Sequence, residues 1–243
     1  MFIRQLTRED VPEVLAITQQ SFVDDELFGW LYPRRNQYPN DLRRYQLIRL
    51  RTRLVSVGSY GFVAVTDETD PGWQGKPEII GYAFFVREGT DESSKKWRHD
   101  SIFSKFERYL LSWELWYEAK VLDRASDPTR IKAYNDTRHY DFYTHLNPRW
   151  HLSMLAVSPK HQRRGIGGKL VKHGQLLATE ENIPLTLNSS IVGRGLYLKS
   201  GFKVVHEVVI AEGLEGITML WEPERLKGKW IEDTGDGRGR MKA

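Results

Sequence analysis

The chain contains no cysteine, which excludes disulfide bonds, cysteine metal ligands and a covalent thiol intermediate on the protein. It also lacks a long apolar run, since the stretch from Leu152 to Val157 is far short of the ~20 residues that cross a bilayer. The segment from Met1 to Asp10 has no apolar stretch of the kind found in a secretory signal peptide. We therefore expect a cytoplasmic protein without a membrane partner.

A large excess of one charge is missing as well. The formal net charge is +4, which suits an anionic ligand but is too dilute to indicate nucleic acid. The arginines between Arg43 and Arg53 alternate with leucine and isoleucine, as on one amphipathic helix with a basic outer face. A basic nucleic-acid binder remains the competing hypothesis for this segment. We expect no nucleic-acid partner, no metal site, and a monomer or homodimer.

Apolar periodicity predicts one α/β domain over residues 1–226. A strand and a helix come first, and two apolar runs separated by turn residues then predict an antiparallel hairpin. The last part reads β-α-β-α-β-β, at Trp150–Val157, Ile166–Glu181, Pro184–Asn188, Ile191–Lys199, Phe202–Val209 and Ile217–Trp221. From Lys227 glycines alternate with charges, which predicts a disordered tail over residues 227–243.

The segment between these parts, residues 88–149, is interpreted as a helical insertion. Aromatic and apolar residues recur there three or four positions apart, as on one face of an amphipathic helix: Trp97, Phe103, Phe106, Leu110, Trp113 and Tyr117. Burying each such side chain would contribute about 1.5 to 3 kcal/mol. We therefore expect this face to dock against the rest of the protein.

A glycine-rich turn follows the strand that ends at Val157. Pro159 prevents further pairing, and a helix begins near Ile166. Free amides at a helix start favour a phosphate, and residues without a side chain let it approach. The glycines are Gly165, Gly167 and Gly168, and the basic residues beside them are Arg163, Arg164 and Lys169. The turn is predicted to bind a diphosphate, and a plain loop before a surface helix is the simpler alternative.

Two other glycine motifs do not fit. A P-loop requires glycine where Arg163 stands, and serine or threonine where Leu170 stands. A dinucleotide fingerprint that begins at Gly165 requires glycine or alanine at Leu170. Both alternatives are excluded.

Two segments carry a family resemblance. Residues 162–167, Gln-Arg-Arg-Gly-Ile-Gly, resemble the signature of the GNAT acetyltransferases, and residues 195–202 resemble the family's second motif, a helix that ends in a Tyr-x-x-x-Gly-Phe turn. The resemblance implies the GNAT acyl-CoA N-acyltransferase fold, an α/β (α+β) fold with a mixed, mostly antiparallel sheet flanked by helices. It also implies acetyl-CoA as the cofactor, held between two splayed strands.

The same resemblance implies the residues that bind acetyl-CoA. Backbone groups of the strand would bind the pantetheine arm, and the turn after it would bind the pyrophosphate. The residues are Leu155, Ala156, Val157, Gln162, Arg163, Arg164, Gly165, Ile166, Gly167, Gly168 and Lys169, with Asn188 on the neighbouring strand. Asn188 stands where several relatives have a carboxylate, so it is expected to orient substrate rather than act as a base.

Acetylation of an amine needs one group that accepts a proton and one that returns a proton to the departing thiolate. By resemblance Tyr197 is the proton donor, and packing of its ring in the core is the alternative. His151 and Ser153 alternate along a strand, as two histidines do in arylalkylamine acetyltransferases, and they share one face. His151 is the candidate base, against the alternative of a strand-edge histidine. Asp24, Asp25 and Glu26 could attract a cationic amine, but a solvated charge run is favoured.

These features predict an N-acetyltransferase acting on a small-molecule amine, similar in places to puromycin-type enzymes. Acetylation of a protein lysine or N-terminus, and a non-catalytic CoA sensor, remain alternatives. The aromatic insertion argues against an open peptide groove, because we expect it beside the acceptor cleft.

Overall fold

The computed structural model describes residues 1–71, 73–98, 100–137, 143 and 146–242, so a few residues of the predicted insertion lie outside the described ranges. Its strands are β1 (Phe2–Gln5), β2 (Ser59–Val65), β3 (Ile79–Glu88), β4 (Arg149–Val157), β5 (Leu185–Ser189), β6 (Lys203–Ala211), β7 (Leu214–Trp221), β8 (Ile231–Gly235) and β9 (Arg238–Met241). Its helices are α1 (Val11–Ser21), α2 (Glu26–Leu31), α3 (Pro39–Val55), α4 (Glu92–Lys95), α5 (Ile102–Tyr117), α6 (Pro128–Asp136), α7 (Ile166–Glu181) and α8 (Arg194–Lys199).

The described strands form one mixed sheet in the order β1-β2-β3-β4-β5-β7-β6-β9-β8. Neighbouring strands are antiparallel except β4 with β5 and β6 with β9, which are parallel. One apolar cluster joins the sheet to α7, with Leu170 and Val171 fully buried, and another joins it to α1 and α3 through Val14 and Leu50. Helices therefore cover both faces of the sheet, as the predicted fold class requires. No helix in the described ranges is long and apolar enough to pass through a bilayer.

The end of the chain differs from the predicted disordered tail. The segment after Lys227 contains the hairpin of β8 and β9, whose turn uses two glycines in the left-handed region, Gly235 and Gly237. The Glu222 carboxylate accepts hydrogen bonds from the backbone amides of residues 228, 230 and 231. Ile231 is buried against Leu220. The alternation of glycine and charge thus encodes an edge hairpin, because its polar side chains are exposed while one apolar residue anchors it.

Residues 88–149 contain α4, α5 and α6, so the segment is helical, and its status as an insertion remains a prediction. The prediction that this aromatic face of α5 packs against the rest of the protein was wrong. Phe103, Phe106, Leu110 and Trp113 are 50 to 86% exposed, whereas Leu111 on the opposite side is buried against α3. A three-and-four spacing identifies an apolar face but not the partner that covers it. Trp97 alone packs as expected, with its ring centroid 5.0 Å from that of Trp150.

Candidate active site

Two parallel strands separate at the centre of the sheet. β4 pairs with β5 only over residues 150–152, opposite residues 185–187. Beyond Leu152, β4 continues beside β3 alone, and Ser153 is an unpaired bulge residue opposite Phe84 and Phe85. A bulge bends its strand and re-aims the side chains next to it. The splay implied by the family resemblance is present.

A cavity of about 1440 Å³ opens at this gap. It exceeds the roughly 300–1,000 Å³ of common ligand pockets, which leaves room for two substrates. Five predicted site residues line it: His151, Ser153, Leu155, Asn188 and Tyr197. The other predicted residues, at positions 156, 157 and 162–169, do not line this cavity. Arg164, Ile166 and Lys169 line a separate cavity of about 240 Å³.

The glycine-rich turn has the backbone of an anion site. Gly165 has φ +78° and Arg163 has φ +62°, both in the left-handed region. The amides of residues 163–168 donate to no acceptor in the described part of the chain. They lie at the start of the 16-residue helix α7, whose positive dipole end adds to the positive electrostatic potential there. Such a row of free amides at a helix start favours a phosphate group.

The two helical glycines of this turn have different surroundings. A Cβ atom on Gly168 would meet nothing within 4 Å, so the helix start is open to a ligand there. A Cβ atom on Gly167 would lie 3.1 Å from Leu196 Cδ2. The missing side chain at Gly167 therefore serves the packing of α8 against α7 rather than the approach of a phosphate.

Tyr197 lies in α8 and reaches the cavity wall. Its ring packs against Phe202, with centroids 5.9 Å apart, and its hydroxyl has no hydrogen-bond partner among the described residues. Burial raises the pKa of the Tyr197 phenol to about 12. At neutral pH the hydroxyl is therefore protonated and free to donate a hydrogen bond.

His151 is held by the strand beside it. Its Nδ1 lies 2.9 Å from Thr186 Oγ1, which in turn donates to the carbonyl of Trp150. With the Thr186 hydroxyl donating to the carbonyl of Trp150, the consistent assignment places the imidazole hydrogen on Nδ1 and leaves Nε2 as an acceptor. Burial, aided by the nearby charge of Arg149, lowers the pKa of His151 to about 3. The imidazole is neutral and is a better hydrogen-bond acceptor than a proton carrier.

Sequence reasoning missed Tyr143. Its phenol donates to the carbonyl of Leu187 and its ring centroid lies 5.4 Å from that of His151. The same hydroxyl lies 3.4 Å from Asn188 Oδ1, which also receives the Thr218 hydroxyl at 3.3 Å. Tyr143 thus fixes both side chains at this corner of the cavity. No periodicity surrounds it in the sequence, so no signal could have identified it.

Ser153 and the acidic run have clear structural roles. Ser153 Oγ donates to the carbonyl of Phe84 across the bulge. Asp25 caps α2 by accepting from the amide of Phe28, and burial raises the pKa of its carboxyl group. Asp25 and Glu26 line the cavity, whereas Asp24 does not. The acidic run therefore supplies both the N-cap of α2 and part of the cavity wall.

The far wall of the cavity is aromatic, which the sequence did not reveal. Ring centroids follow one another at 5.6, 6.2 and 5.4 Å from Phe22 to Phe28, Tyr32 and Tyr45. These four residues come from α1, α2 and α3 and their connections, so only the fold brings them together. All four line the cavity that His151 also lines, and they give it a continuous aromatic surface.

Buried charges hold this wall to the segment after α5. Asp41, fully buried in α3, accepts from Arg44 at 2.6 Å and from Arg124 at 3.1 Å. Arg44 also donates to Glu118 at 2.9 Å. Burial opposes ionisation of Asp41, but the two arginines outweigh it and hold the pKa of its carboxyl group below the ordinary value. The network connects α3 to residues 118–124.

Comparison with known proteins agrees with this geometry. Residues 117–223 match the model of the acetyltransferase (GNAT) domain, and the match begins inside the segment interpreted as an insertion. An acetyltransferase of Stachybotrys chartarum is 22% identical over 211 residues, covering 86% of this chain and 84% of that protein.

Two solved structures show a similar fold. One, from Corynebacterium glutamicum, is named histone acetyltransferase HPA2 and related acetyltransferase; it is 18% identical, covers 91% of this chain and 95% of its own, and gives a TM-score of 0.57. A protein of Pyrococcus horikoshii is 15% identical, covers 92% and 99%, and gives 0.51. The predicted fold and enzyme class are confirmed: the chain has the GNAT fold and is an acyltransferase, and its residues 117–223 match the acetyltransferase (GNAT) domain.

Proposed function

We propose that the chain transfers an acetyl group from acetyl-CoA to the nitrogen of a small-molecule amine. The observation that carries this proposal is the position of the free amides of residues 163–168, directly after the strand that leaves its neighbour to open the cavity. One ligand that combines a diphosphate with a long arm spans both features. Acetyl-CoA is such a ligand, and it would supply a thioester activated for attack by an amine.

The residues present fit this ligand. The open direction at Gly168 and the row of free amides suit the diphosphate. The unpaired side of β4 from Ser153 to Val157 would bind the arm through Leu155, Ala156 and Val157. Gln162 supports the turn, because its side chain donates to the carbonyl of Val157 at 3.2 Å. Arg163, Arg164 and Lys169 would add positive charge.

The acceptor side of the cavity favours a small amine with an apolar body. The aromatic wall from Phe22 to Tyr45 would contact that body, and its ring faces can attract a cation. Asp25 and Glu26 would attract the ammonium group from the rim. His151 Nε2 would accept a hydrogen bond from the attacking nitrogen and orient its lone pair. The amine would attack as the neutral base, and the proton that its nitrogen loses on forming the amide would pass through solvent in the cavity to the departing thiolate, so that coenzyme A leaves as the free thiol.

Tyr197 would act at the sulfur of the thioester. Its pKa of about 12 exceeds the roughly 8.5 of a free thiol, so full proton transfer to a thiolate costs free energy whereas a hydrogen bond stabilises the developing charge. We therefore assign Tyr197 the role of a hydrogen-bond donor that lowers the barrier to thiolate departure. Ser153 would support the bulge that aims His151 and Leu155 into the cavity.

Release of free coenzyme A provides the test. Because the chain has no cysteine, a thiol-reactive dye reports only the coenzyme. We expect turnover with apolar aryl- or alkylamines and a fall of about 10²- to 10³-fold in kcat for Tyr197→Phe, with unchanged acetyl-CoA affinity. Tyr109→Phe, a matched change on the exposed face of α5, should have no effect.

Two other outcomes of the turnover assay would indicate a different function. Turnover with peptides carrying lysine or a free N-terminus, and none with small amines, would replace the acceptor class. Tight acetyl-CoA binding without turnover on any amine would indicate a CoA sensor.

A further inference from the structure

An extended apolar surface lies on the outer face of α5 and continues into the turn at Glu118–Leu122. Nine large apolar side chains there are about half to nine-tenths exposed, and we call them the α5 stripe: Ile102, Phe103, Phe106, Tyr109, Leu110, Trp113, Trp116, Tyr117 and Val121. Soluble monomers rarely expose so large a contiguous apolar patch. Nothing in the described ranges covers it, and the proposed reaction does not use it.

The stripe lies directly opposite the side of α5 that packs on the protein. Leu111 contacts Ile48 and Val55 of α3, and Arg108 donates to the carbonyl of Val55 at 2.8 Å. At 100° per residue the stripe is centred about 180° from these anchoring residues. The helix is therefore fixed from behind and presents a rigid apolar face, so no ordering cost is needed before a partner docks.

We propose that the α5 stripe is the interface through which two copies of this chain form a symmetric dimer. The middle of the stripe has the spacing of a helix-pairing seam: Phe103, Phe106, Leu110, Trp113 and Tyr117 alternate by three and four positions. An isologous interface uses the same patch on both subunits. A single self-complementary helix face meets that requirement.

The area fits a dimer of ordinary size. A large aromatic side chain buries about 150–250 Å², so the nine residues at their observed exposures offer roughly 1,000 Å² per subunit. A stable protein interface needs about 800 Å² from each partner.

The borders of the stripe favour antiparallel pairing of the two helices. One border is apolar, with Ile102, Tyr109 and Trp116, and the other is charged, with Glu107 and Glu114. In an antiparallel pair each border lies against the same border of the partner helix, so the two apolar borders contact each other and the two charged borders contact each other. A parallel pair would place both glutamates against aromatic rings.

Each glutamate of the charged border is paired with an arginine of the same chain. Arg8 binds Glu107 at 2.5 Å, and Arg51 binds Glu114 at 3.0 Å. Both carboxylates are therefore already neutralised within each copy, so two such borders can meet without an unpaired charge between them. This border offers an anionic bilayer no excess of positive charge, which disfavours a membrane as the occupant.

Sedimentation of the full chain at several concentrations tests the dimer. We expect twice the monomer mass for the wild type and a monomer for Leu110→Asp. The matched control is Leu176→Asp, a leucine of equal exposure, 50%, on the outer side of α7. A wild-type monomer throughout, or dimers of both variants, would overturn the proposal. A monomer that co-sediments with phosphatidylglycerol vesicles through the stripe would replace the dimer with a lipid surface.

Single cysteines in this cysteine-free chain test the orientation. In an antiparallel pair centred near residue 110, the two copies of Leu110 are close, whereas those of Ile102 are about 24 Å apart at 1.5 Å per residue. A short bismaleimide should therefore cross-link Leu110→Cys and leave Ile102→Cys uncross-linked. Equal cross-linking of both would contradict the antiparallel arrangement, and cross-linking of neither would contradict the interface. Acetyltransferase turnover of Leu110→Asp reports separately on the proposed function.

Discussion

The most informative single change is Gly168→Asp, because the structure separates its effect on binding from any effect on folding. A side chain at Gly168 enters open space, since no atom lies within 4 Å of its Cβ position. Position 168 is in the first turn of α7, where a carboxylate is stabilised by the helix dipole by about 0.3–1 kcal/mol. We therefore expect the free energy of unfolding of the unliganded variant to be unchanged or slightly raised.

The same carboxylate would weaken acetyl-CoA binding. The new carboxylate would accept hydrogen bonds from the free amides at the start of α7, and it would repel a diphosphate bound at a distance of about 5 Å. Two like charges at that distance interact by about 1–3 kcal/mol for an effective dielectric constant between that of water and about 20, which is roughly a 5- to 150-fold rise in Kd. Calorimetric titration with acetyl-CoA measures this, and thermal unfolding without ligand measures the fold.

Two variants control the reasoning. Lys172→Ala removes one positive charge from an exposed position one turn further along α7, so it matches the change in net charge and should leave the Kd nearly unchanged. Gly167→Ala should not show the stabilisation of about 1 kcal/mol that alanine gives over glycine in an open helix, because its Cβ would lie 3.1 Å from Leu196 Cδ2. Equal acetyl-CoA affinity of Gly168→Asp and wild type would refute the assignment of the helix start as the diphosphate site.

Three further changes test the rest of the molecule. Asp41→Asn should lower the free energy of unfolding, measured in urea titrations, by about 1–3 kcal/mol, since its arginine partners are partly solvated. Because folding lowers the pKa of Asp41, this difference from wild type should be present above about pH 4 and should disappear as the pH falls below it. His151→Gln should leave the shape of the pH profile of kcat/KM unchanged between about pH 5 and 8, because the pKa of about 3 keeps His151 neutral there; loss of an inflection near 6.5 would show that it carries a proton. Ile231→Ala should cost about 2–5 kcal/mol if the terminal hairpin is anchored, against no measurable cost for the exposed Val209→Ala.

The strand, turn and helix that form the proposed donor side could be predicted because their determinants are consecutive in sequence. The helix predicted at Ile166–Glu181 is found with the same bounds, and the strand predicted from Trp150 to Val157 begins one residue earlier. Glycine, proline and the change from strand to helix periodicity are local signals. These local signals are enough to predict a turn with three glycines and free backbone amides.

The acceptor side could not be predicted for the opposite reason. Its aromatic wall joins Phe22, Phe28, Tyr32 and Tyr45, which acquire a common surface only when three helices pack together. The bulge at Ser153 inserts one residue without any sequence mark. The face of α5 was misassigned because amphipathic spacing says that a surface is apolar, and not whether the protein's own core covers it.

This division between local and distant determinants also bears on mechanism. The proposed diphosphate site rests on one strand, one turn and one helix, so we expect its geometry to survive changes elsewhere in the chain. The acceptor wall depends on ion pairs between elements far apart in sequence, such as Asp41 with Arg124 and Arg44 with Glu118. Its shape can therefore vary while the acyl-donor site stays fixed. A perturbation of the Asp41 network should for this reason appear first in the KM for the amine, with acetyl-CoA affinity retained, and the reverse order would show that the two halves of the site are not independent.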